Sequence, residues 1–247
     1  MLRKTMLAAA LLAAGMGSAN AALVQGDLVF TAFNADEDGW SLVVLADIAP
    51  STQIFFSDGA ATGASTIGNT ESAFSWNTGA GTIAAGTVVR FSAIDVASRA
   101  ASVGTFAPVN STNFGLSAGA ETIYAFLGTS DGTGSTVATM LTAVSSEANN
   151  NSLTTVGLTA GVNAIKLTSS TDFAGYTGAR SGEASFGAYA PLVNNPANWS
   201  INVGGNGVTI VPDTSNFSVT AVPVPAALPL LLSALGLVGA ASRRRAA

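Results

Sequence analysis

Five carboxylates stand where the chain could do chemistry: Asp36, Asp38, Asp58, Glu71 and Glu121. Paired carboxyl groups hydrolyse glycosides when one protonates the leaving oxygen and the other attacks or activates water. The first two belong to the run Asn34-Ala35-Asp36-Glu37-Asp38-Gly39, which offers oxygen at Asn34, Asp36 and Asp38 before a glycine that permits a tight turn. Hard cations such as calcium take oxygen ligands, so these three residues are the expected metal site and calcium is the only cofactor to consider. An EF-hand is ruled out, because the twelfth position counted from Asn34 is Leu45 and not a bidentate Glu. The competing reading of the loop is a solvated acidic turn. No nucleophile–base constellation accompanies the carboxylates, so catalysis is not expected.

The aromatic residues with a polar handle are a second set. Trp40, Trp76, Trp199, Tyr124, Tyr176 and Tyr189 can stack on sugar rings or fill a core. Trp40 and Trp199 adjoin strand-like runs, which assigns them to the core. Tyr176 and Tyr189 lie in Gly-rich sequence and are the expected ligand-facing pair. The glycines from Gly128 to Gly134 lack a Lys and a following helix, so they make no phosphate loop.

Composition narrows the classes. The chain of 247 residues contains no Cys and no His. Disulfides, Cys/His zinc sites, thiol nucleophiles and Ser-His-Asp triads are therefore excluded. Charged residues are only 9% of the chain, far below the roughly 25% of average soluble proteins, so the solvated face must be built from hydroxyls and amides. Five of the nine basic residues lie in the end segments. The body keeps Arg90, Arg99, Lys166 and Arg180 against all fourteen acidic residues, a balance of −10. Such a surface repels nucleic acid, which requires a cationic face.

Both ends have an ordered pattern. Arg3 and Lys4 precede a short apolar run from Met6 to Ala14, and Ala19-Asn20-Ala21 supplies a small-x-small site. This order predicts a secretory signal over residues 1–21, cut by signal peptidase so that Ala22 becomes the mature N-terminus. At the other end, Val222-Pro223-Val224-Pro225 leads into an uncharged stretch from Ala226 to Ala241, and Arg243-Arg244-Arg245 follows. A helix there would be a marginal membrane span of about 24 Å.

The tail over residues 222–247 resembles the PEP-CTERM family of sorting signals, in its VPLPA-like variant. Val224 stands where the commoner form has Glu. The resemblance implies processing near Pro223-Val224-Pro225 by a membrane-embedded exosortase, an inner-membrane intermediate held by a transmembrane-type helix, and a host that makes exopolysaccharide and biofilm.

The body, residues 22–221, is punctuated by Gly, Asn, Asp and Pro between short β-type runs. These runs are Asp27–Phe33, Trp40–Ala46, Gln53–Ser57, Thr87–Ala93, Thr122–Leu127, Val137–Val144 and Val162–Leu167. Trp199–Val203, Gly207–Val211 and Phe217–Val222 complete them. The pattern predicts an all-β domain. The succession Gly26-Asp27-Leu28-Val29-Phe30, Ile54-Phe55-Phe56-Ser57-Asp58, Glu121-Thr122-Ile123-Tyr124 and Asn195-Pro196-Ala197-Asn198-Trp199 is similar to bacterial lamin-tail-like domains. That likeness implies a single immunoglobulin-like β-sandwich without catalytic residues, flanked here by the signal helix and the tail helix. The expected function is that of an exported, exosortase-processed, non-enzymatic protein of the cell surface or matrix, associated with exopolysaccharide. The alternatives are a calcium-dependent carbohydrate-binding or adhesion module, and a secreted hydrolase.

Overall fold

The computed structural model describes residues 22–68, 70–110 and 113–220. Among these residues fourteen strands form in chain order. They are β1 (Leu28–Asn34), β2 (Gly39–Val44), β3 (Gln53–Ser57), β4 (Ala61–Gly63), β5 (Thr66–Ile67), β6 (Ala73–Asn77) and β7 (Val88–Ser92), then β8 (Ala100–Ala101), β9 (Thr105–Pro108), β10 (Thr122–Ser130), β11 (Ser135–Ser145), β12 (Ile165–Lys166), β13 (Phe173–Tyr176) and β14 (Trp199–Asn202). Two short helices, α1 (Asn151–Thr155) and α2 (Ala190–Val193), lie on the connections.

The strands make two sheets. One has the order β14-β13-β1-β2-β7-β8. The other runs β4-β5-β11-β10-β3-β6-β9, with β12 added beside β11. The named strand pairs are antiparallel except β11 with β12. The architecture is thus all-β and two-layered, with no closed barrel. The β1–β2 ladder slips between Phe30 and Ala32. Such a bulge leaves Thr31 without a direct partner and bends the strand.

Aromatic packing holds the layers together. Trp40 and Phe91 from the six-stranded sheet meet Phe56, Phe74 and Trp76 from the eight-stranded one, with Phe106 against them. Phe56 lies 4.8 Å from Phe91 and 5.2 Å from Trp40 between ring centroids, inside the range where tilted and edge-on aromatic pairs attract. A second cluster packs Phe55, Phe126, Met140 and Leu153 on the other face of the eight-stranded sheet, under α1. Strands β1 and β2 are buried along their whole length, which is why they read as nearly continuous apolar runs.

Two parts of the expected fold are corrected. Sheets of six and eight strands exceed the seven to nine strands of an immunoglobulin-type sandwich. Strands β4, β5, β8 and β9 add to the count as pieces of two to four residues that the sequence does not announce. No transmembrane-type helix is found among the described residues either. No helix among the described residues is long and apolar enough to cross a membrane, and the longest helix spans five residues against the roughly 20 that a bilayer requires. The membrane as a partner and the inner-membrane intermediate are expected on the helix of residues 226–241, which lies outside the described residues, and no described helix supplies a span in its place. The signal segment with Ala19 and Ala21, and the tail with Val222, Pro223, Val224, Pro225, Arg243, Arg244 and Arg245, lie outside the described residues.

Candidate functional site

Strand order brings three of the sequence's carboxylates together. In the eight-stranded sheet β3 lies between β10 and β6, and both neighbours run antiparallel to it. Asp58 follows the last residue of β3. Glu71 stands two residues before β6, and Glu121 immediately precedes β10. The C-terminal end of one strand and the starts of its two neighbours share an edge of the sheet, so the three side chains converge. One carboxylate oxygen from each of the three residues lies within 4.8 Å of the others.

Local hydrogen bonds fix the cluster. Ser72 Oγ donates to Asp58 Oδ2 at 2.7 Å, and Ser57 Oγ donates to the carbonyl of Ser72 at 3.0 Å. The backbone N–H groups of Ser117 and Thr122 donate to the two oxygens of Glu121. Asn110 ties the Glu71 segment down, donating to its carbonyl and accepting from the N–H of Ala73. Gly59 is required beside Asp58, because a Cβ there would stand 2.3 Å from the carbonyl oxygen of Gly68.

The electrostatics follow from burial. Asp58 and Glu121 are each only 6% exposed. Burial pushes the Asp58 carboxyl up to about 7, with Glu71 adding like-charge repulsion against the bond from Ser72. Burial likewise pushes Glu121 up to about 8. Glu71 is raised by burial and then by the charge of Glu147. Asp58 Oδ1 makes no hydrogen bond.

The expected calcium loop is organised differently. Asn34 Oδ1 accepts from the N–H groups of Asp36 and Glu37, each at 3.0 Å. Asp36 accepts from Gly207 N–H, and Asp38 accepts from Leu116 N–H. Each carboxylate is thus directed at the backbone of a separate loop, and the acidic run pins those loops to the β1–β2 turn. Asp38 sits at φ 54°, a left-handed conformation that Asp tolerates better than most residues. Glu37 pairs with Arg90.

A groove of about 510 Å³ opens over the six-stranded sheet. Strand register places Ala32 between Ser41 and Gly175, and Gly175 opposite Ser200, so a row of small residues crosses four strands on one face. Three of them, Ala32, Gly175 and Ser200, line the groove. Asn34, Phe173 and Asn202 rise on one side, and Ile210 to Asp213 form the overhanging wall. Tyr176 borders the groove while only 4% exposed, and its hydroxyl donates to the carbonyl of Ala179 at 3.0 Å. Tyr189 is fully buried and donates to the carbonyl of Ser218 at 2.7 Å. Trp40 and Trp199 are buried, and the Trp199 indole donates to the carbonyl of Val193.

The sequence offers Asp58, Glu71 and Glu121 among five carboxylates that could pair, without saying which of them meet; the signal that joins these three is that each flanks a strand terminus. The groove had no sequence signal, since its floor is defined by the absence of side-chain bulk. Comparison of the chain with family models, curated proteins and solved structures gave no match. The vocabulary of PEP-CTERM sorting and biofilm, and the partnerships with exosortase and signal peptidase, therefore gain no support from any relative.

Proposed function

We propose that this chain is an exported, non-catalytic protein of the cell surface or extracellular matrix that holds a neutral carbohydrate chain in the groove over its six-stranded sheet. The groove carries the reading. Its volume falls within the range of about 300–1,000 Å³ typical of ligand sites. Apolar surface from Phe173, Ile210 and Val211 stands beside the amide of Asn202 and the hydroxyls of Thr177 and Ser200. A sugar presents the matching combination, an apolar ring face and a hydroxyl edge.

Two carboxylates border the groove, and both are ion-paired, Glu37 with Arg90 and Asp213 with Arg180. Held in this way they are poor general acids or bases, which favours binding over hydrolysis. The acidic body disfavours an anionic glycan. Export rests on the order of residues at the chain's start.

Titration calorimetry with neutral and acidic oligosaccharides tests the proposal. A Cβ at Gly175 meets nothing within 4 Å, so Gly175→Phe puts its ring into the groove from the floor. Binding of neutral glycans by the wild type and its loss in Gly175→Phe are expected. Equal binding by both proteins would remove the groove from consideration.

A further inference from the structure

We propose that Asp58, Glu71 and Glu121 bind one divalent cation of the hard, oxygen-seeking class, with calcium the fitting ion. The spacing suits it. An ion held at about 2.3–2.6 Å from each oxygen spans oxygen pairs up to roughly 5 Å apart, and the three oxygens lie within 4.8 Å of one another.

A second observation is independent of that spacing. Asp58 is 94% buried, yet its Oδ1 receives no hydrogen bond while Oδ2 is satisfied by Ser72. A buried carboxylate oxygen without a donor is costly and requires a partner. No basic side chain provides one: the ion pairs among the described residues are Arg90–Glu37 and Arg180–Asp213. Lys166, the cation on the neighbouring strand β12, donates to the carbonyls of Glu147 and Leu167. The bonds that Glu121 accepts from Ser117 and Thr122 leave it further lone pairs, because a carboxylate offers about four acceptor sites.

The site is formed by strand ends of the eight-stranded sheet, so it does not depend on the groove and can stand or fall separately. Its chemical role is structural. One ion would tie β3, β6 and β10 at a shared edge and neutralise three converging carboxylates. The acidic loop at Asn34, Asp36 and Asp38 is the competing location, and its oxygens already accept from backbone N–H groups, Asn34 from its own turn and Asp36 and Asp38 from separate segments.

The test is calorimetric titration of the chelator-stripped full chain with calcium chloride. One ion per chain is expected. Glu71→Gln, at a half-buried position, should weaken binding at least tenfold while tryptophan emission shows a native core, and Asp36→Asn should leave affinity unchanged. If Glu71→Gln does not fold, Asp58→Asn replaces it with the same expected loss. Absence of binding at millimolar calcium, or binding retained in the cluster variants and lost in Asp36→Asn, would overturn the proposal.

Discussion

The indole Nε1 of Trp40 and the Oδ1 of Asp58 are a donor and an acceptor that each lack a hydrogen-bond partner, and both residues border one small void between the two sheets. Trp40 belongs to the six-stranded sheet and Asp58 to the edge of the other, so the mismatch lies across the layer interface. An unsatisfied buried polar group costs about 1–3 kcal/mol, and a charged one costs more. Asp58→Asn keeps the shape and removes the charge. In chelator at pH 8, we expect this variant to be more stable than wild type by about 1–3 kcal/mol. Added calcium should then stabilise the wild type only. Urea melts with and without calcium give both results, and a less stable variant in chelator would show that the carboxylate is not a burden.

The raised carboxyls also set a pH dependence. The folded chain holds protons on Asp58 and Glu121 up to about 7 and 8, whereas the unfolded chain releases them near pH 4. Between these limits the native state binds more protons than the unfolded state, so stability falls as pH rises. The groups facing the pair are Glu71, Glu147 and Tyr124, none of which supplies a positive charge. Urea midpoints in chelator should therefore decline from pH 5 to pH 8. A midpoint that rises over this interval would mean that the two groups are ionised at little cost.

Sequence and structure agree best where strands are buried on both faces. The runs Asp27–Phe33, Gln53–Ser57 and Thr122–Leu127 fall on β1, β3 and β10, because aromatic and β-branched residues there leave no other reading. Strand β13 escaped because Gly175 and its neighbours read as loop, yet that glycine is what opens the groove. Gly207–Val211 and Phe217–Val222 have strand composition, but most of their described residues cross the sheet as irregular chain. Asp58, Glu71 and Glu121 are 13 and 50 residues apart in turn, a spacing that means nothing until the order β10-β3-β6 is known. The Asn34–Asp38 run was conspicuous because its oxygens are adjacent in sequence, and adjacency also lets them serve as local caps for loops.

The interlayer aromatic cluster should dominate stability. Phe56 meets Trp40, Trp76, Phe91 and Phe106 with centroid separations between 4.8 and 6.4 Å and is fully buried. Phe56→Ala deletes the ring from a site bounded by rigid partners, and such changes cost about 3–5 kcal/mol. A loss below about 1 kcal/mol in urea denaturation would mean that the cluster collapses around the gap.

Export has a direct mass signature. Protein recovered from its native host should begin at Ala22, which intact-mass spectrometry with N-terminal peptide mapping will read. A mature chain that keeps residues 1–21 would remove the export half of the proposed function and leave the groove untouched.

Arg180 is the clamp on the groove's outer wall. Its guanidinium pairs with the Asp213 carboxylate, donates to the carbonyls of Asp213 and Ser215, and stacks 4.9 Å from the Phe217 ring centroid. The fork geometry and planar face that allow all of this belong to Arg and not to Lys, whose ammonium is a compact point charge. Burial lowers the Arg180 pKa from its ordinary value, but an Arg starts so high that the group stays charged. Arg180→Lys should therefore keep one charge contact and lose the others, freeing the segment from 210 to 216. The expected result is faster limited proteolysis within that segment and weaker glycan binding, with the unfolding free energy from urea melts changed by less than about 1 kcal/mol because the pair is partly exposed. If proteolysis and binding both match wild type, the wall is held by Asn34 and Asn216 through their bonds to Gly207 and Val88, and Arg180 only decorates it.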